Sequence, residues 1–430
     1  MKKTADPSEP LRVAVDRLRP GMYVHLELKW LDHPFSFNSF KIRDQKQLDT
    51  LLSLGLRDVI YVPEKSDVAP LPPKESPVPM AESSPMLEVD QLALADKKRR
   101  IARVSKEREA IQRCEKKFVG VISSVKNLMR NLMARPEESI QAADVLIKEM
   151  VESLLADRNI AVHLMNDKIA GEDVYYHSLN VAVLAMMLGR EAGLPPEEVS
   201  LLGMGALFHD VGKSRIPDKV LLKTEPLNHA ERALYRLHCH MGEEIAKQLG
   251  LAPRAIDIIV QHHETMNGKG YPQGLQGGKI SRLARIVAIV NAYDNYCNRT
   301  NPNDSLTPHE ALALMYSRER ELYDSKLLKL FIKCMGVYPP GSIVQLSNEA
   351  VGMVVSINAK QALSPSVLIY DPTVPKEEAI IYDLTEDPDI TIVESIRPNL
   401  LLREIYDYLS PRKRMTYYFD ERTDGAKANR

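Results

Sequence analysis

His209-Asp210-Val211-Gly212-Lys213 and His262-His263-Glu264-Thr265-Met266-Asn267-Gly268-Lys269-Gly270-Tyr271-Pro272 are the two stretches that decide how this chain reads. Each opens with two adjacent metal-ligating side chains, and each closes an apolar helical pattern, over 196–208 and 253–264. Imidazole together with carboxylate suits Fe, Mn, Zn or Ni rather than a thiolate-seeking ion. A His-Asp dipeptide alone is equally well explained by a cap or a surface turn. Two ligand pairs at helix ends, the second leading into a loop with Gly at 268, 270, 274, 277 and 278, are not. Adjacent helical residues point about 100° apart. A pair can therefore hold one ion from two sides, or one side chain can bridge two ions. The glycines permit close backbone approach to a ligand.

Two more helical stretches carry histidines. One, 173–190, holds His177; the other, 230–249, holds His238, Cys239 and His240. A lone histidine in a core helix is more often a hydrogen-bonded structural residue than a ligand. Taken together, however, the HD-x-GK and HHE-x-x-x-G-x-GYP elements resemble the HD-GYP family, a branch of the HD superfamily of metal-dependent phosphohydrolases, over residues 137–340. The resemblance implies an all-helical domain that hydrolyses the bacterial second messenger cyclic di-GMP, either to pGpG or onward to GMP. It implies that His177, His209, Asp210, His238, His262 and His263 hold two divalent transition-metal ions, Fe or Mn ahead of Ni or Zn. Asp210 is shared between the ions, which activate a water. Lys213 meets the scissile phosphate, and Gly270, Tyr271 and Pro272 lie at the substrate. His238 is preferred to His240 because the family's ligand stands four residues before a glycine, here Gly242.

Several positions depart from the family. Its usual Ala-Asp-Val-Tyr-Asp is written Val290-Asn291-Ala292-Tyr293-Asp294, so a neutral amide stands at a ligand position. Asp294 matches the second Asp, which is not usually a ligand. Of the phosphate-binding Arg and Lys, Arg299 comes one position early and Asn303 stands where the Lys is typical. Members with three ions carry a Glu four residues before the first ligand His. Here Asp173 stands there, and its carboxylate reaches about 1.5 Å less far. Asn291 and Asp173 are thus the two weaker candidate ligands, and two ions are expected. A competing reading is a catalytically weak HD-GYP module that docks signalling proteins through the GYP loop. A third is hydrolysis of another nucleotide phosphate, since HD chemistry is not substrate-specific.

The expected fold class is mainly α. A small α+β domain at 8–62, similar to the uncharacterised domain that often precedes HD-GYP domains, comes before the helical domain at 137–340. A small β appendage follows at 341–410, then a polar, disordered tail at 411–430. Prolines at 63, 70, 72, 73, 77, 79 and 85 make 63–86 an extended linker. Residues 87–135 read as a charged connecting helix that could pair in a homodimer. Its Lys97-Lys98-Arg99-Arg100 run invites nucleic acid or a membrane surface, but Glu107, Glu109 and Glu115 interleave with the later bases, as on a solvated face. A net charge of -1 argues against a general binder of DNA or RNA. Four widely spaced cysteines without a CxxC suggest a reducing, cytoplasmic setting. Neither a signal peptide nor a membrane span is expected.

Asn291→Asp should raise metal affinity, because a carboxylate attracts a divalent cation more strongly than an amide does. Titrating metal into both apo proteins checks this. Weaker binding by the variant would instead make Asn291 a hydrogen-bond partner of a ligand.

Overall fold

The computed structural model describes residues 11–28, 33, 35, 38–72, 88–156, 160–165, 173–223, 225–299, 301, 304–358, 364–372, 374–376, 379–385, 390–411 and 415–421. The chain divides into two compact units, residues 1–107 with 371–380 and residues 108–370 with 381–430.

In the first unit, strands β1 (Arg12–Ala14), β2 (Tyr23–His25) and β3 (Ser39–Lys41) precede helix α1 (Gln45–Ser53) and strand β4 (Asp58–Tyr61). The sheet order is β1-β4-β2-β3, antiparallel throughout. Alternation places Val13, Val24, Phe40 and Val59 inside, against Leu48 and Leu51 of α1. The Asp44 side chain caps α1 by accepting from Gln47 N at 2.8 Å. The start of the expected linker belongs to this unit: Leu71 N donates to Arg17 O at 2.9 Å, and Asp67 N to Gly21 O at 2.9 Å. Its remainder, 73–86, lies outside the described residues.

Helix α2 (Glu88–Asn131) crosses from the first unit into the second. From residue 114 on it is no solvated spacer. Cys114, Phe118, Ile122, Val125, Leu128 and Leu132 recur at helical spacing and are buried in the second unit's core. Dimer pairing through 87–135 therefore cannot use this stripe, which its own chain already covers.

The second unit continues with α3 (Pro136–Ala156), β5 (Ile160–Leu164), α4 (Asp173–Glu191), α5 (Pro196–Leu207), α6 (Asp218–Leu221) and α7 (His229–Arg236). Next come α8 (His238–Gln248), α9 (Pro253–Gln261), α10 (Arg282–Cys297), α11 (Pro308–Ser317) and α12 (Ser325–Met335). Strands β6 (Ile343–Leu346), β7 (Val351–Asn358), β8 (Ser366–Ile369), β9 (Ile381–Asp383) and β10 (Ile392–Ile396), helix α13 (Arg403–Leu409) and strand β11 (Tyr417–Glu421) complete it. Helix α4 is the core element. Ten consecutive residues, Asn180–Gly189, are buried, because α5, α10, α12 and the last strand, β11, pack around it.

Three sequence expectations change here. The stretch 230–249 is two helices that break at Leu237, with α7 started by an Asn228–Glu231 capping box. The C-terminal strands do not form a sheet of their own, since β5, from between α3 and α4, lies within it. One edge of β7 is shared by β6, through Val351–Met353, and β5, through Ser356–Asn358; β8 takes the other edge. The tail is not wholly disordered, because β11 pairs along the whole of β5, from Tyr417–Leu164 to Glu421–Ile160. Five residues between two helices are too short for period-2 alternation to stand out, and β11 finds its partner only across the sheet. Among the described residues, no helix is long and apolar enough to cross a membrane.

Phe118 packs 6.0 Å from the Tyr176 ring and 5.9 Å from the Tyr418 ring, measured between centroids. Phe118→Ala should destabilise the second unit by about 3–5 kcal/mol. Chemical denaturation followed by tyrosine fluorescence would measure the loss.

Candidate metal centre

A helix leaves its last carbonyls without intrahelical partners. Here three such carbonyls are taken by histidines. His209 Nδ1 is 2.7 Å from Ala206 O at the end of α5. His238 Nδ1 is 2.7 Å from Tyr235 O at the end of α7. His262 Nδ1 is 2.8 Å from Ile259 O at the end of α9. A carbonyl can only accept, so each Nδ1 carries the proton and each Nε2 presents a lone pair.

Those lone pairs converge on Asp210. His209 Nε2 lies 3.2 Å from Asp210 Oδ2, and His238 Nε2 and His262 Nε2 lie 3.5 and 3.6 Å from Oδ1. His238 Nε2 and His262 Nε2 are themselves 3.4 Å apart. Two ligand groups result, Asp210–His238–His262–His263 and His177–His209–Asp210, and in each the ligand atoms lie within 4.8 Å of one another. Asp210 belongs to both. Buried Asp210 Oδ1 and His263 Nε2 have no hydrogen-bond partner. Acceptors facing acceptors, with two buried atoms unpaired, are costly unless a cation lies among them. The donor set therefore fits a divalent metal.

Two glycines make this closeness feasible. The 3-10 turn Val211–Arg215 lies so near α8 that a Cβ on Gly212 would overlap the His238 carbonyl oxygen and come within 2.5 Å of Gly242 N. On the facing side, a Cβ on Gly242 would sit 2.8 Å from Ile259 Cγ2. His209 and Asp210 thus reach His238 through backbone contact between two chain segments.

The charge states agree with this geometry. Burial pushes the pKa values of His209, His262 and His263 below their usual value, and that of His238 down to about 4. All four are neutral, as ligation requires. Burial also works against the Asp210 carboxylate, but Lys213, His209 and His177 outweigh it and hold its pKa well below the usual range. His177 is different. Burial lowers its pKa, yet Asp210 and Asp294 together raise it to about 9. Its Nδ1 meets Asp294 Oδ2 at 2.5 Å, and its Nε2 is 3.2 Å from His209 Nε2. A cation at His177 Nε2 would displace a proton.

The remaining candidates are placed as follows. Lys213 Nζ donates to Asp210 Oδ2 at 2.5 Å and lies 5.4 Å from the Tyr235 ring centroid. Asp173 is the first residue of α4. Asn291 is buried on α10, and its Oδ1 accepts from Asn295 Nδ2 at 2.8 Å. His240 lies on the surface, 3.5 Å from both Glu243 and Glu244. Burial pushes the Cys239 thiol up to about 12, so it stays protonated although its Sγ is 3.5 Å from His238 Nε2. Tyr271 is not freely displayed. Its ring stacks on His263 at 4.5 Å, and the Arg236 guanidinium lies 4.8 Å above it. Gly270 is pressed onto the HHE backbone, where a Cβ would meet His263 O at 2.5 Å.

Two residues lay within the sequence motifs but were given no role there. Buried Glu264 accepts from Gln273 N at 2.7 Å and Leu275 N at 2.9 Å, tying the glycine loop to α9. Its signal was an acid placed just ahead of a loop rich in unpaired N–H groups. Asp294 orients His177, and its signal was only its place one turn after Asn291.

A helical His/Asp centre of this kind defines an HD-domain phosphohydrolase, and the HD domain family matches residues 149–327. A domain of unknown function, DUF3391, matches residues 11–143. An HD domain thus follows DUF3391 in this chain, the order that the resemblance to the HD-GYP family implies. The chain is 29% identical over 363 residues to a cyclic di-GMP phosphodiesterase of Pseudomonas aeruginosa, covering 84% of each protein. It is 34% identical over 154 residues to the cyclic di-GMP phosphodiesterase response regulator RpfG of Xanthomonas campestris pv. campestris, covering 35% of this chain and 40% of that relative. Among solved structures, an HDG"Y"P protein from Bdellovibrio bacteriovorus aligns with 75% of this chain and 98% of its own, at 17% identity and a TM-score of 0.41.

The buried neutral histidines give stability a pH dependence. Below the usual histidine value of 6.5, the unfolded chain takes up protons that folded His209, His238, His262 and His263 refuse, so stability falls toward pH 4. His177, raised to about 9, acts at higher pH with the opposite sign: its contribution is full well below 6.5 and is lost as the pH rises through 6.5 to about 9. Thermal melts in chelator should show the metal-free Tm dropping between about pH 6.5 and about pH 5.

Proposed function

We propose that this chain is a metal-dependent phosphodiesterase that hydrolyses cyclic di-GMP in the cytoplasm, either to pGpG or onward to GMP. The reading is carried by the two ligand groups that share Asp210, with their inward-facing Nε2 lone pairs. His209, Asp210 and His177 would hold one divalent ion, and Asp210, His238, His262 and His263 the other. The nitrogen and oxygen set admits Fe, Mn, Ni or Zn, and the family resemblance puts Fe or Mn first. Bound ions supply Lewis acidity, acidifying water and neutralising phosphate charge.

The chain's own residues do the rest. Asp210 stays ionised and carries the negative charge between the two groups. Lys213, beside Asp210, offers a fixed cation for charge that develops on the scissile phosphate. Tyr271, backed by His263, gives the GYP loop a rigid aromatic edge at the site, and Glu264 holds that loop in register. Arg236 is exposed and lies over the Tyr271 ring. It supplies positive charge near the site, where Arg299 comes one position early for the family's phosphate-binding Arg and Asn303 stands where its Lys is typical. The relatives named cyclic di-GMP phosphodiesterases support this substrate.

One observation favours a second reading. Asn291 replaces a carboxylate by an amide already bonded to Asn295, which weakens the site for metal and suits a signalling module that docks partners through the GYP loop.

Turnover of cyclic di-GMP and of cyclic GMP-AMP by Mn- and Fe-loaded protein distinguishes these readings. Cyclic di-GMP should be the better substrate. Asp210→Ala should lower kcat by at least about a thousandfold and reduce metal content, while leaving the helical circular dichroism in place. Turnover of neither dinucleotide by fully metal-loaded protein would favour the docking module.

A further inference from the structure

One buried polar network has no part in the chemistry described so far. Asp294, which binds His177 through Oδ2, is held at Oδ1 by two amides. These are Asn180 of α4 and Asn298, which follows α10 and lies at 2.9 Å. Both asparagines also grip the chain just before and within β11. Asn180 Nδ2 and Asn298 Nδ2 donate to Met415 O at 3.1 and 2.8 Å. In return, Asn298 Oδ1 accepts from Met415 N at 2.7 Å, and Asn180 Oδ1 from Tyr417 N at 2.8 Å. An amide NH2 has two hydrogens, so both amides are fully used. The fully buried Tyr417 locks the segment further, with its hydroxyl 2.9 Å from Tyr293 OH and 3.2 Å from Pro340 O. A chain of hydrogen bonds thus runs from the C-terminal strand, through two amides and one carboxylate, to the Nδ1 of His177.

We propose that Asn180 and Asn298, held by Met415–Tyr417, are positioning residues for His177, and that the C-terminal strand is thereby part of the metal centre. By fixing Asp294 they fix the tilt of the His177 ring. They set the affinity of the His177–His209–Asp210 group and leave the Asp210–His238–His262–His263 group unaffected. This inference rests on the two-ion reading above, and it goes beyond that reading by giving the two positions different dependence on the C-terminus.

The test titrates Mn(II) alone into chelator-stripped full-length protein, with heat and EPR used to count and rank the bound ions. Asn180→Ala removes a wholly buried amide and risks unfolding the chain. Asn298→Ala, at a half-buried position, keeps the test decisive. The expected result is that one ion is weakened about 10–100-fold, the range for losing a partner of a ligand histidine, while the other keeps its wild-type affinity. Two ions bound as in wild type by Asn298→Ala would overturn the proposal alone. Equal weakening of both ions with a lowered Tm would mark the network as purely structural, and would also overturn it. A wild-type chain that binds no Mn(II) would overturn the metal reading itself, and this inference with it.

Discussion

The carbonyl at a helix end, with a lone pair left for a side chain, is the feature on which this structure turns. Ala206, Tyr235 and Ile259 each offer one, and a histidine that follows closely takes it through Nδ1. That single hydrogen bond sets the tautomer, aims Nε2 inward and keeps the ring from rotating. Three such bonds from three helices bring three lone pairs to one buried carboxylate. Without a cation the arrangement is electrostatically poor, which is why it reads as a metal centre rather than as a polar patch in the core.

Close approach of backbone to backbone makes that convergence geometrically feasible. Gly212 and Gly242 let the turn after α5 lie against α8 with no side chain between them, and Gly270 lets the GYP loop lie on the HHE backbone. Glu264 then closes the loop with two backbone hydrogen bonds. The glycines and the acid in these motifs are therefore as much part of the centre as the ligands. Their contribution is distance, since a few tenths of an ångström of extra bulk would part the ligand groups.

His177 stands apart from the other ligands. Its Nδ1 is held by a carboxylate instead of a helix-end carbonyl, so it carries a proton where the others are neutral. The same carboxylate ties it to the most distant part of the chain, the C-terminal strand. The sheet and the helical core thus meet at one candidate ligand, His177. The α2 stripe supports the same corner, since Phe118 packs on Tyr176 and Tyr418, the neighbours of His177 and Tyr417.

Local chemistry made much of this readable in advance. Apolar periodicity located α4, α5 and α9 to within a few residues, because each buries one face whatever its partner. The motif spacing singled out His209, Asp210, His262 and His263, and Gly242 distinguished His238 from His240. Other features depended on partners remote in sequence. β5 and β11 are strands because each completes the other's hydrogen bonding across the sheet. The roles of Asp294, Asn180 and Asn298 exist only because residues more than a hundred positions apart share one buried network. The sequence by itself determined which side chains could bind metal and which segments were helical, since both follow from residue type and short spacing. The tertiary structure alone decided tautomers, orientations and the link from the C-terminus to His177, because a buried polar atom takes its role from whichever partner the fold brings within reach.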